Sequence, residues 1–170
     1  MADFAPAIAI TLANEGSAYV PNDNGHGPSK YGITLETYQV YMPDATPETI
    51  MALMEAEALD WYCTCVWSRY NIGDITDQNL ANKVLDLVVN MGPVALKLLQ
   101  EAVNSVDPAD TPLTVDGILG PWTIELVNAT DPVKLLAEYK TLAAQLYREI
   151  AANNPAEAGD LAGWLKRLDA

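Results

Sequence analysis

The sequence predicts a mainly α-helical fold with a small β-hairpin after the first helix. Apolar residues recur at helical spacing along most of the chain. A Gly- and Pro-rich stretch over residues 17–34, with Tyr and Val at its edges, interrupts this pattern and is typical of a loop with a short hairpin. Helix-starting pairs such as Thr46-Pro47 and Asp131-Pro132 divide the rest of the chain into further helices.

The first predicted helix covers residues 4–14, because Phe4, Ile8 and Leu12 recur every four residues. It ends near Glu15-Gly16. Residues 35–42 predict one or two further helical turns. Downstream, the apolar spacing and the start signals predict helices from 46 to about 69, 77 to 91, 93 to about 103, 120 to about 128, 131 to 153, and around 161–168.

Charge and length exclude several classes of protein. The 170 residues include 9 Lys and Arg against 23 Asp and Glu, a formal net charge of −14, so attraction to a polyphosphate is excluded and we expect no nucleic-acid partner. No apolar run reaches about 18 residues, so no membrane-spanning helix is predicted. The N-terminus has no Lys or Arg before its short apolar stretch, which does not fit a standard secretory signal.

The cysteines predict neither a disulfide nor a metal site. Cys63 and Cys65 are two residues apart, so on a helix they point to different faces, and a bridge between them would be strained. A zinc site needs about four ligands, and the chain has one histidine, His26. We expect free thiols, and no metal or organic cofactor.

Two carboxyl groups around the glycine-rich loop form the candidate catalytic pair. Glu15 comes at the end of an apolar helix and is followed at once by glycine, so part-burial is expected to favour a protonated general acid. Asp23 lies in a polar turn, where it is expected to stay ionised. Two carboxyls in contrasting environments are the acid–base pair of glycoside hydrolysis. Tyr19 and Tyr31 offer flat faces for sugar rings.

The same stretch resembles glycoside hydrolase family 108, the N-acetylmuramidases that include phage endolysins and bacterial secretion activator proteins. The family has a helix ending in Glu-Gly-Gly-Tyr, an Asp-rich loop, and a Gly-Gly-x-Thr-x-Tyr-Gly-Ile-Thr run. The corresponding segments are EGSAY at 15–19, ND at 22–23 and HGPSKYGIT at 26–34. Ser17, His26 and Ser29 depart from the family pattern, which bears on the shape and efficiency of the site more than on its reaction.

The resemblance continues through nearly the whole chain. Residues 85–92 and Leu99-Gln100 look like the family's Asp-x-x-x-Asn-x-Gly and Leu-Gln segments. Residues 115–123 look like the Asp-Gly-x-x-Gly-x-x-Thr signature of its C-terminal peptidoglycan-binding-type region, and 163–167 like its closing Gly-Trp-x-x-Arg. The resemblance implies a lysozyme-like helical bundle. We expect a catalytic subregion over 1–76 and a helical, peptidoglycan-binding-type subregion over 77–170, with the cleft between them.

Several candidate substrate-binding residues also have purely structural interpretations. Thr34 is either an active-site hydroxyl or the cap of the next helix. Tyr31 either lines the sugar groove or packs in the core. Asp86 and Asn90, four residues apart on one helical face with Lys83, form a solvated face, an internal hydrogen-bond network or the cleft floor. Ser29 keeps the hydroxyl of the family's threonine. Asp116-Gly117 is either a structural turn or part of a sugar site.

The predicted function is hydrolysis of the β-1,4 bond between N-acetylmuramic acid and N-acetylglucosamine in peptidoglycan. Glu15 would be the acid, and Asp23 would activate water or stabilise the cation, or would only shape the turn. Inversion and retention both remain open, since they differ in a carboxyl separation of about 6.5–9.5 Å or about 5–5.5 Å. The alternative is a non-catalytic peptidoglycan-binding or virion-associated protein that keeps the fold.

Peptidoglycan glycan strands are the expected partner of a monomer made in the cytoplasm that acts on the cell wall or in the periplasm. Without a signal peptide, the protein would need a holin-dependent route or attachment to a phage particle, which fits a phage or prophage origin. The negative charge would repel anionic envelopes at low salt. It therefore favours either an assembly-bound enzyme or a high-salt habitat that screens the repulsion.

Overall fold

The computed structural model describes residues 1–23, 25, 27–107, 112–154 and 158–169. Over this part of the chain it confirms the mainly α fold with a small hairpin after the first helix, and it contains nine α-helices and two short strands. The helices are α1 (Phe4–Glu15), α2 (Leu35–Gln39), α3 (Pro47–Ala52), α4 (Glu55–Tyr62), α5 (Gln78–Met91), α6 (Val94–Val106), α7 (Pro121–Ala129), α8 (Pro132–Asn153) and α9 (Leu161–Asp169).

The hairpin falls inside the predicted stretch. Strand β1 (Ser29–Lys30) pairs antiparallel with β2 (Ile33–Thr34), with Ser29 opposite Thr34. Tyr31 and Gly32 form the two-residue turn, with φ angles of +55° and +76°. Positive φ at both turn residues matches the right-handed twist of the strands. Val20 also bridges to Ser29 through two backbone hydrogen bonds of 2.8 and 2.9 Å, which ties the loop to the hairpin.

The predicted helix starts are confirmed where a polar side chain precedes a helix. Thr46 and Thr49 form a capping box at the start of α3, with Pro47 as the first residue of that helix. Asp77 accepts a hydrogen bond from Leu80 N at 2.8 Å, and Asp131 accepts from Val133 N and Lys134 N. These contacts satisfy backbone N–H groups that have no partner inside the helix.

The single helix predicted from 46 to about 69 is wrong. The chain leaves helical geometry at Leu53, whose ψ of 125° turns its side chain into the core, where it is 2 % exposed. A new helix starts at once, because the Glu57 carboxylate accepts from Met54 N at 2.8 Å. A π-helical segment, Cys63–Ser68, then follows α4. Its wider turn buries three consecutive side chains, Cys65, Val66 and Trp67.

Helix α5 is the centre of the molecule. Of the apolar residues whose spacing predicts this helix, Leu80, Val84, Leu87 and Val88 are buried and Met91 is half-buried. It packs on α1, α6 and α8, and α8 carries α9 on its surface. Cys63 and Cys65 are free thiols, as expected. Among the described residues, no helix is long and apolar enough to cross a bilayer.

Candidate functional site

Glu15 is the last residue of α1 and lies against the hairpin turn. Gly16, with φ +77°, ends the helix immediately after it. The Glu15 side chain keeps 19 % of its surface exposed. A Cβ atom built on Gly32 would lie 2.7 Å from Glu15 Cγ and 2.8 Å from Oε2. The backbone of the turn therefore covers one side of this carboxyl group, and only glycine at position 32 allows so close an approach.

Arg167, from the last helix, holds the other side of Glu15. Its Nη2 donates to Glu15 Oε1 at 2.6 Å. The same guanidinium group reaches Asp86, with Nε donating to Oδ1 at 3.0 Å and Nη2 to the backbone oxygen at 3.2 Å. Hydrogen bonds between charged groups are shorter and stronger than neutral ones. One planar group on α9 thus connects the end of α1 to the middle of α5.

Asp86 is completely buried and fully engaged. Its Oδ1 also accepts from Asn14 Nδ2 at 3.0 Å, and Lys83 Nζ lies 3.4 Å from Oδ2. Lys83 donates to the backbone oxygen of Arg167 at 2.7 Å, which fixes the end of α9. Of the three interpretations of this strip, the internal hydrogen-bond network describes Asp86 and Lys83. Asp86 is not exposed to solvent, and its predicted contact with substrate stays a prediction.

The four charges of this network balance each other: Glu15 and Asp86 are acids, Lys83 and Arg167 are bases. Burial lowers the pKa of Lys83, and the nearby Asp86 carboxylate opposes this shift. Burial of opposite charges is tolerated because each carboxylate has cationic and hydrogen-bonding partners. The network is therefore a fixed, water-poor support behind a partly exposed Glu15.

Asn90 belongs to a second contact between α5 and α8. Its Oδ1 accepts from the Tyr147 hydroxyl at 2.6 Å. Tyr147 stacks on Trp164 of α9 with ring centroids 5.2 Å apart. Burial raises the pKa of Tyr147 to about 12. The residue Asn90 itself is exposed, so it keeps a surface that a ligand can reach.

Asp23 lies in a turn of the glycine-rich loop. Its backbone N–H donates to Gly27 O at 2.8 Å, and Asn22 Oδ1 accepts from Gly25 N at 3.1 Å. The residue is half-buried. The turn-forming interpretation thus accounts for the backbone of this segment, while the catalytic role of the Asp23 carboxyl stays a prediction. His26 lies outside the described residues.

The other predicted site residues surround the hairpin. Thr34 caps α2, since its hydroxyl accepts from Thr37 N at 3.2 Å. Ser29 is buried, with 3 % of its surface exposed. Tyr31 is half-buried and its carbonyl accepts from the Tyr62 hydroxyl at 2.8 Å. Tyr19 is half-buried on the loop that follows Glu15. The structural interpretation of Thr34 is therefore fulfilled, and its substrate contact stays a prediction.

Arg167 and Tyr62 contact Glu15 and the hairpin turn respectively, although neither was among the predicted site residues. Burial and the negative charge of Glu15 raise the pKa of Tyr62, which keeps its hydroxyl protonated as a donor to the hairpin turn. Arg167 had a signal, because it ends the Gly-Trp-x-x-Arg segment. The segment lies 152 residues from Glu15, so nothing local indicated that the two side chains meet.

A cavity of about 250 Å³ opens beside Gly32. It lies between α4, the π-helical segment and the end of α5. We call it the Trp61 cavity. The described residues that line it are all uncharged: Gly32, Thr37, Tyr41, Trp61, Tyr62, Cys65, Val66, Tyr70, Val88, Val89, Gly92 and Pro93.

The Asp116-Gly117 turn is held by a buried side chain of α6. Gln100 Nε2 donates to Asp116 Oδ1 at 2.8 Å, and Gln100 Oε1 accepts from Gly117 N at 2.8 Å. Hydrogen bonds from the Gln100 side chain and from Ile118 N lower the pKa of Asp116. The structural interpretation of this turn therefore accounts for both residues. No three His, Cys, Asp or Glu side chains in the described ranges come together as metal ligands.

Two family models match consecutive regions of the chain. The family model described as glycosyl hydrolase 108 matches residues 8–92, which include Glu15, the hairpin and every described residue of the Trp61 cavity except Pro93. The model described as a predicted peptidoglycan domain matches residues 94–169, which include Arg167. The boundary between the two matches falls after α5, whereas the boundary expected from the sequence lies before α5.

The fold has a counterpart among solved structures. The structure of Brucella abortus SagA superposes with a TM-score of 0.74 at 22 % identity, covering 97 % of this chain and 92 % of that one. At this identity the similarity concerns the fold. No curated protein matches the chain. Since the first model covers half of the sequence, the chain belongs to the glycosyl hydrolase 108 family and is a lysozyme-like protein that acts on peptidoglycan.

Proposed function

We propose that the protein is an N-acetylmuramidase that hydrolyses the β-1,4 bond between N-acetylmuramic acid and N-acetylglucosamine, with Glu15 as the general acid. One observation carries the proposal: Glu15 is a partly exposed carboxyl that is fixed on one side by Arg167 and on the other lies against Gly32, a residue that lines an uncharged cavity. Precise placement of one reactive group is what a general acid requires. The family match supplies the reaction class.

The two oxygens of Glu15 have different surroundings, which suggests different tasks. Oε1 accepts from Arg167, whereas Oε2 lies close to the backbone of Gly32. We assign the transferred proton to Oε2: the Glu15 carboxylate takes it up from water and then donates it to the glycosidic oxygen as the bond to the anomeric carbon breaks. Water then adds at that carbon, and Asp23 activates the water or stabilises the oxocarbenium-like state.

Arg167, Asp86 and Lys83 are positioning residues in this proposal. Asp86 binds two atoms of the guanidinium group, so Arg167 cannot rotate freely toward a ligand. Lys83 fixes the backbone of Arg167. Glu15 therefore keeps its orientation when a glycan displaces water from the cleft, a placement on which catalysis by oriented groups depends.

The decisive experiment is digestion of purified Gram-negative peptidoglycan, with the soluble products identified by mass spectrometry. It compares the native protein with Glu15→Gln and with Glu101→Gln, a matched change at an exposed position of α6. The native protein and Glu101→Gln are expected to release fragments with reducing-end muramic acid. Glu15→Gln is expected to lose at least about 100-fold in rate, the usual contribution of a general acid.

Other products would contradict parts of the proposal. Anhydro-muramic ends would make the protein a lytic transglycosylase and remove the water-activating role of Asp23. Full activity of Glu15→Gln would reject Glu15 as the acid. Absence of any release by the native protein, with retained binding to sacculi, would favour the non-catalytic peptidoglycan-binding or virion-associated alternative.

The route to the cell wall is a separate proposal. We propose release by a holin or delivery on a phage particle, and the formal charge of −14 favours either an assembled state or action at high salt. Activity that rises with added NaCl would support charge screening by salt. Co-purification with virions would support assembly.

A further inference from the structure

We propose that a groove between α8 and α9 binds the peptide stems of peptidoglycan, with Lys140 and Arg148 as partners for the free carboxylates of a stem. This inference rests on the proposed function in one respect, because it takes peptidoglycan as the ligand. It adds a binding site on the C-terminal region and assigns to that site a chemical group other than the sugars. The shape of the groove, its unpaired charges and its place beside Arg167 support the assignment.

The groove is a cavity of about 340 Å³ that α8 and α9 border together, and we call it the α8–α9 groove. On α8, the lining positions 140, 144 and 148 are four residues apart and therefore lie on one face of the helix. The first and last of them are cationic and are separated by about 12 Å along the helix axis. The lining residues are Lys140, Thr141, Ala144, Arg148, Leu165, Leu168 and Asp169.

The lining combines apolar residues with accessible charges. Leu168 is buried, with 4 % of its surface exposed, and Ala144 and Leu165 are half-buried beside it. Arg148 and Asp169 are exposed, and Lys140 is half-buried, so a ligand can approach all three. The groove therefore fits an elongated ligand that has apolar parts and more than one carboxylate. A neutral sugar ring would leave both cations unused.

The charged residues of the groove have no ion-pair partner in the protein. The ion pairs formed among the described residues all belong to the network around Arg167, and none of them involves Lys140, Arg148 or Asp169. Hydrogen bonds between a cation and a carboxylate are roughly twice as strong as neutral ones. The two cations are therefore available to the carboxylates of a ligand, and Asp169 is available to an amino group.

The charge of the chain is distributed in favour of an anionic ligand at this place. Residues 132–169, which include α8 and α9, contain five Lys and Arg and five Asp and Glu. The formal charge of −14 therefore falls on residues 1–131, which contain four bases and eighteen acids. Most of the molecule repels an anionic peptide, whereas the groove offers it two free cations in a region without net charge.

The peptide stems are the part of peptidoglycan that carries free carboxylates. In an intact strand, the lactyl group of each muramic acid is joined to its stem through an amide, so the sugars are neutral. A stem carries the α-carboxylate of its γ-linked glutamate. In Gram-negative walls, it also carries the carboxylate and the free amino group of a diamino acid. Two cations beside one acid, as in the α8–α9 groove, match this set of charges.

Helix α9 brings the groove within reach of a ligand bound at the proposed acid. Arg167 donates to Glu15, while Leu165 and Leu168, its neighbours on the same helix, line the groove. A helix with its side chains is about 10–12 Å across, and an extended stem of four residues spans about 14 Å. A stem attached to a muramic acid at Glu15 therefore has the length to cross α9 and enter the groove.

Calorimetry tests the site with the free stem tripeptide L-alanyl-γ-D-glutamyl-meso-diaminopimelate, titrated into the native protein. The control ligand is the same tripeptide with its carboxylates amidated, which keeps its length and removes its negative charge. Lys140→Gln and Arg148→Gln each remove one cation from the groove. Lys134→Gln is the matched control, because it removes the same charge from an exposed position of α8 outside the lining.

We expect the tripeptide to bind and its amidated form to bind at least about tenfold more weakly. Lys140→Gln and Arg148→Gln are each expected to weaken tripeptide binding about tenfold, as for loss of one hydrogen bond to a charged group. Lys140→Arg keeps the charge and is expected to retain most of the affinity, and Lys134→Gln is expected to leave it unchanged. The thermal midpoint of each variant checks that it is folded.

Equal binding of the free and the amidated tripeptide would overturn the proposal, as would unchanged affinity in Lys140→Gln and Arg148→Gln together. Absence of tripeptide binding would overturn it even if the native protein digested peptidoglycan. Equally tight binding of inorganic phosphate would make the groove a general anion site and would overturn the assignment to stems. Failure of the proposed function gives a different result: the tripeptide would bind in a way that depends on Lys140 and Arg148, while the native protein released no fragments from peptidoglycan.

Discussion

The two regions matched by the family models contribute to the site in different ways. Residues 8–92 supply Glu15, the hairpin turn and all of the described lining of the Trp61 cavity except Pro93, and Glu15 and the turn are partly exposed. Residues 94–169 supply Arg167, a mostly buried guanidinium that contacts Glu15 and Asp86 from behind. The first region presents the groups that we propose touch the glycan, and the second fixes one of them.

A sequence boundary between two domains is therefore not a boundary of the site. Some polar side chains of the C-terminal region form hydrogen bonds within the protein. Gln100 donates to Asp116 Oδ1 in the Asp116-Gly117 turn, and Arg167 donates to Asp86 Oδ1. We therefore expect the C-terminal region to be needed for the stability and activity of the N-terminal one, whatever glycan it binds itself.

The largest expected effect is that of Arg167→Ala. It leaves the Asp86 carboxylate, which has no exposure, with Lys83 and Asn14 alone, and removal of one partner of a buried ion pair costs about 3–5 kcal/mol. Urea unfolding measures the loss, and digestion of peptidoglycan measures the accompanying loss of activity. Arg148→Ala removes the same charge at an exposed position of α8. A comparable loss of stability in this variant would contradict the role assigned to Arg167 of the C-terminal region.

Gly32→Ala is expected to act next most strongly, on the N-terminal side. A methyl group would meet Glu15 at 2.7 Å and would occupy a residue with φ +76°, so stability should fall by about 1–3 kcal/mol and Glu15 should move. Urea unfolding and peptidoglycan digestion measure the two effects.

Gly163→Ala is the control for Gly32→Ala. Gly163 lies inside α9 and is exposed, and a Cβ atom added to it would have no neighbour within 4 Å, so the methyl group should raise stability by about 0.5–1 kcal/mol. A loss at Gly163 as large as that at Gly32 would mean that α9 tolerates no change at all.

Alkaline pH provides a third comparison. Burial raises the pKa of Tyr147 to about 12 and that of Tyr139 well above its usual range. As pH rises, the unfolded chain therefore loses these two protons at a lower pH than the folded protein does. The contribution of these two groups to the free energy of unfolding is fully present below about pH 10. It falls as pH rises toward the folded-state pKa, by about 1.4 kcal/mol per pH unit for each tyrosine. Urea unfolding at several pH values between 9 and 11 measures the slope, which Tyr147→Phe should reduce.

The smallest expected effect is a difference of about 1 kcal/mol in unfolding free energy at neutral pH between Phe substitutions at two tyrosines of α8. Tyr147→Phe removes a hydrogen bond of 2.6 Å to Asn90 and should destabilise by about that amount. Tyr139→Phe removes a buried hydroxyl that has no partner, so stability should stay the same or rise. Thermal and urea unfolding measure both, and a similar loss in the two variants would contradict the assigned contacts.

Most of the fold was predictable because its signals are local. Apolar spacing and cap residues predicted α1, α5 and α8, and the clustered glycines predicted the hairpin. The break at Leu53 was not predictable in this way. Both sides of it continue a helical pattern, and the break follows from burial of one side chain in a core built by distant residues.

The residues of the candidate site also divide into those that local sequence patterns predicted and those that depend on distant residues. Glu15 and Asp23 lie within a short stretch of sequence, and the succession of an acid, glycines and aromatics pointed to them. Asp86 and Lys83 were identified as a polar strip, but their burial depended on Arg167. The Trp61 cavity needs α4 to pack beside the end of α5, which no spacing along the chain indicates.

The pairing of Glu15 with Arg167 also orders events along the folding pathway. It closes a loop of 152 residues, for which chain entropy alone costs roughly 4 kcal/mol. Contacts of such long range form after local helices in most proteins. During synthesis, α1 and α5 emerge long before α9, so a nascent chain has Asp86 without its guanidinium. The proposed acid is therefore not fixed in place until the last helix has left the ribosome.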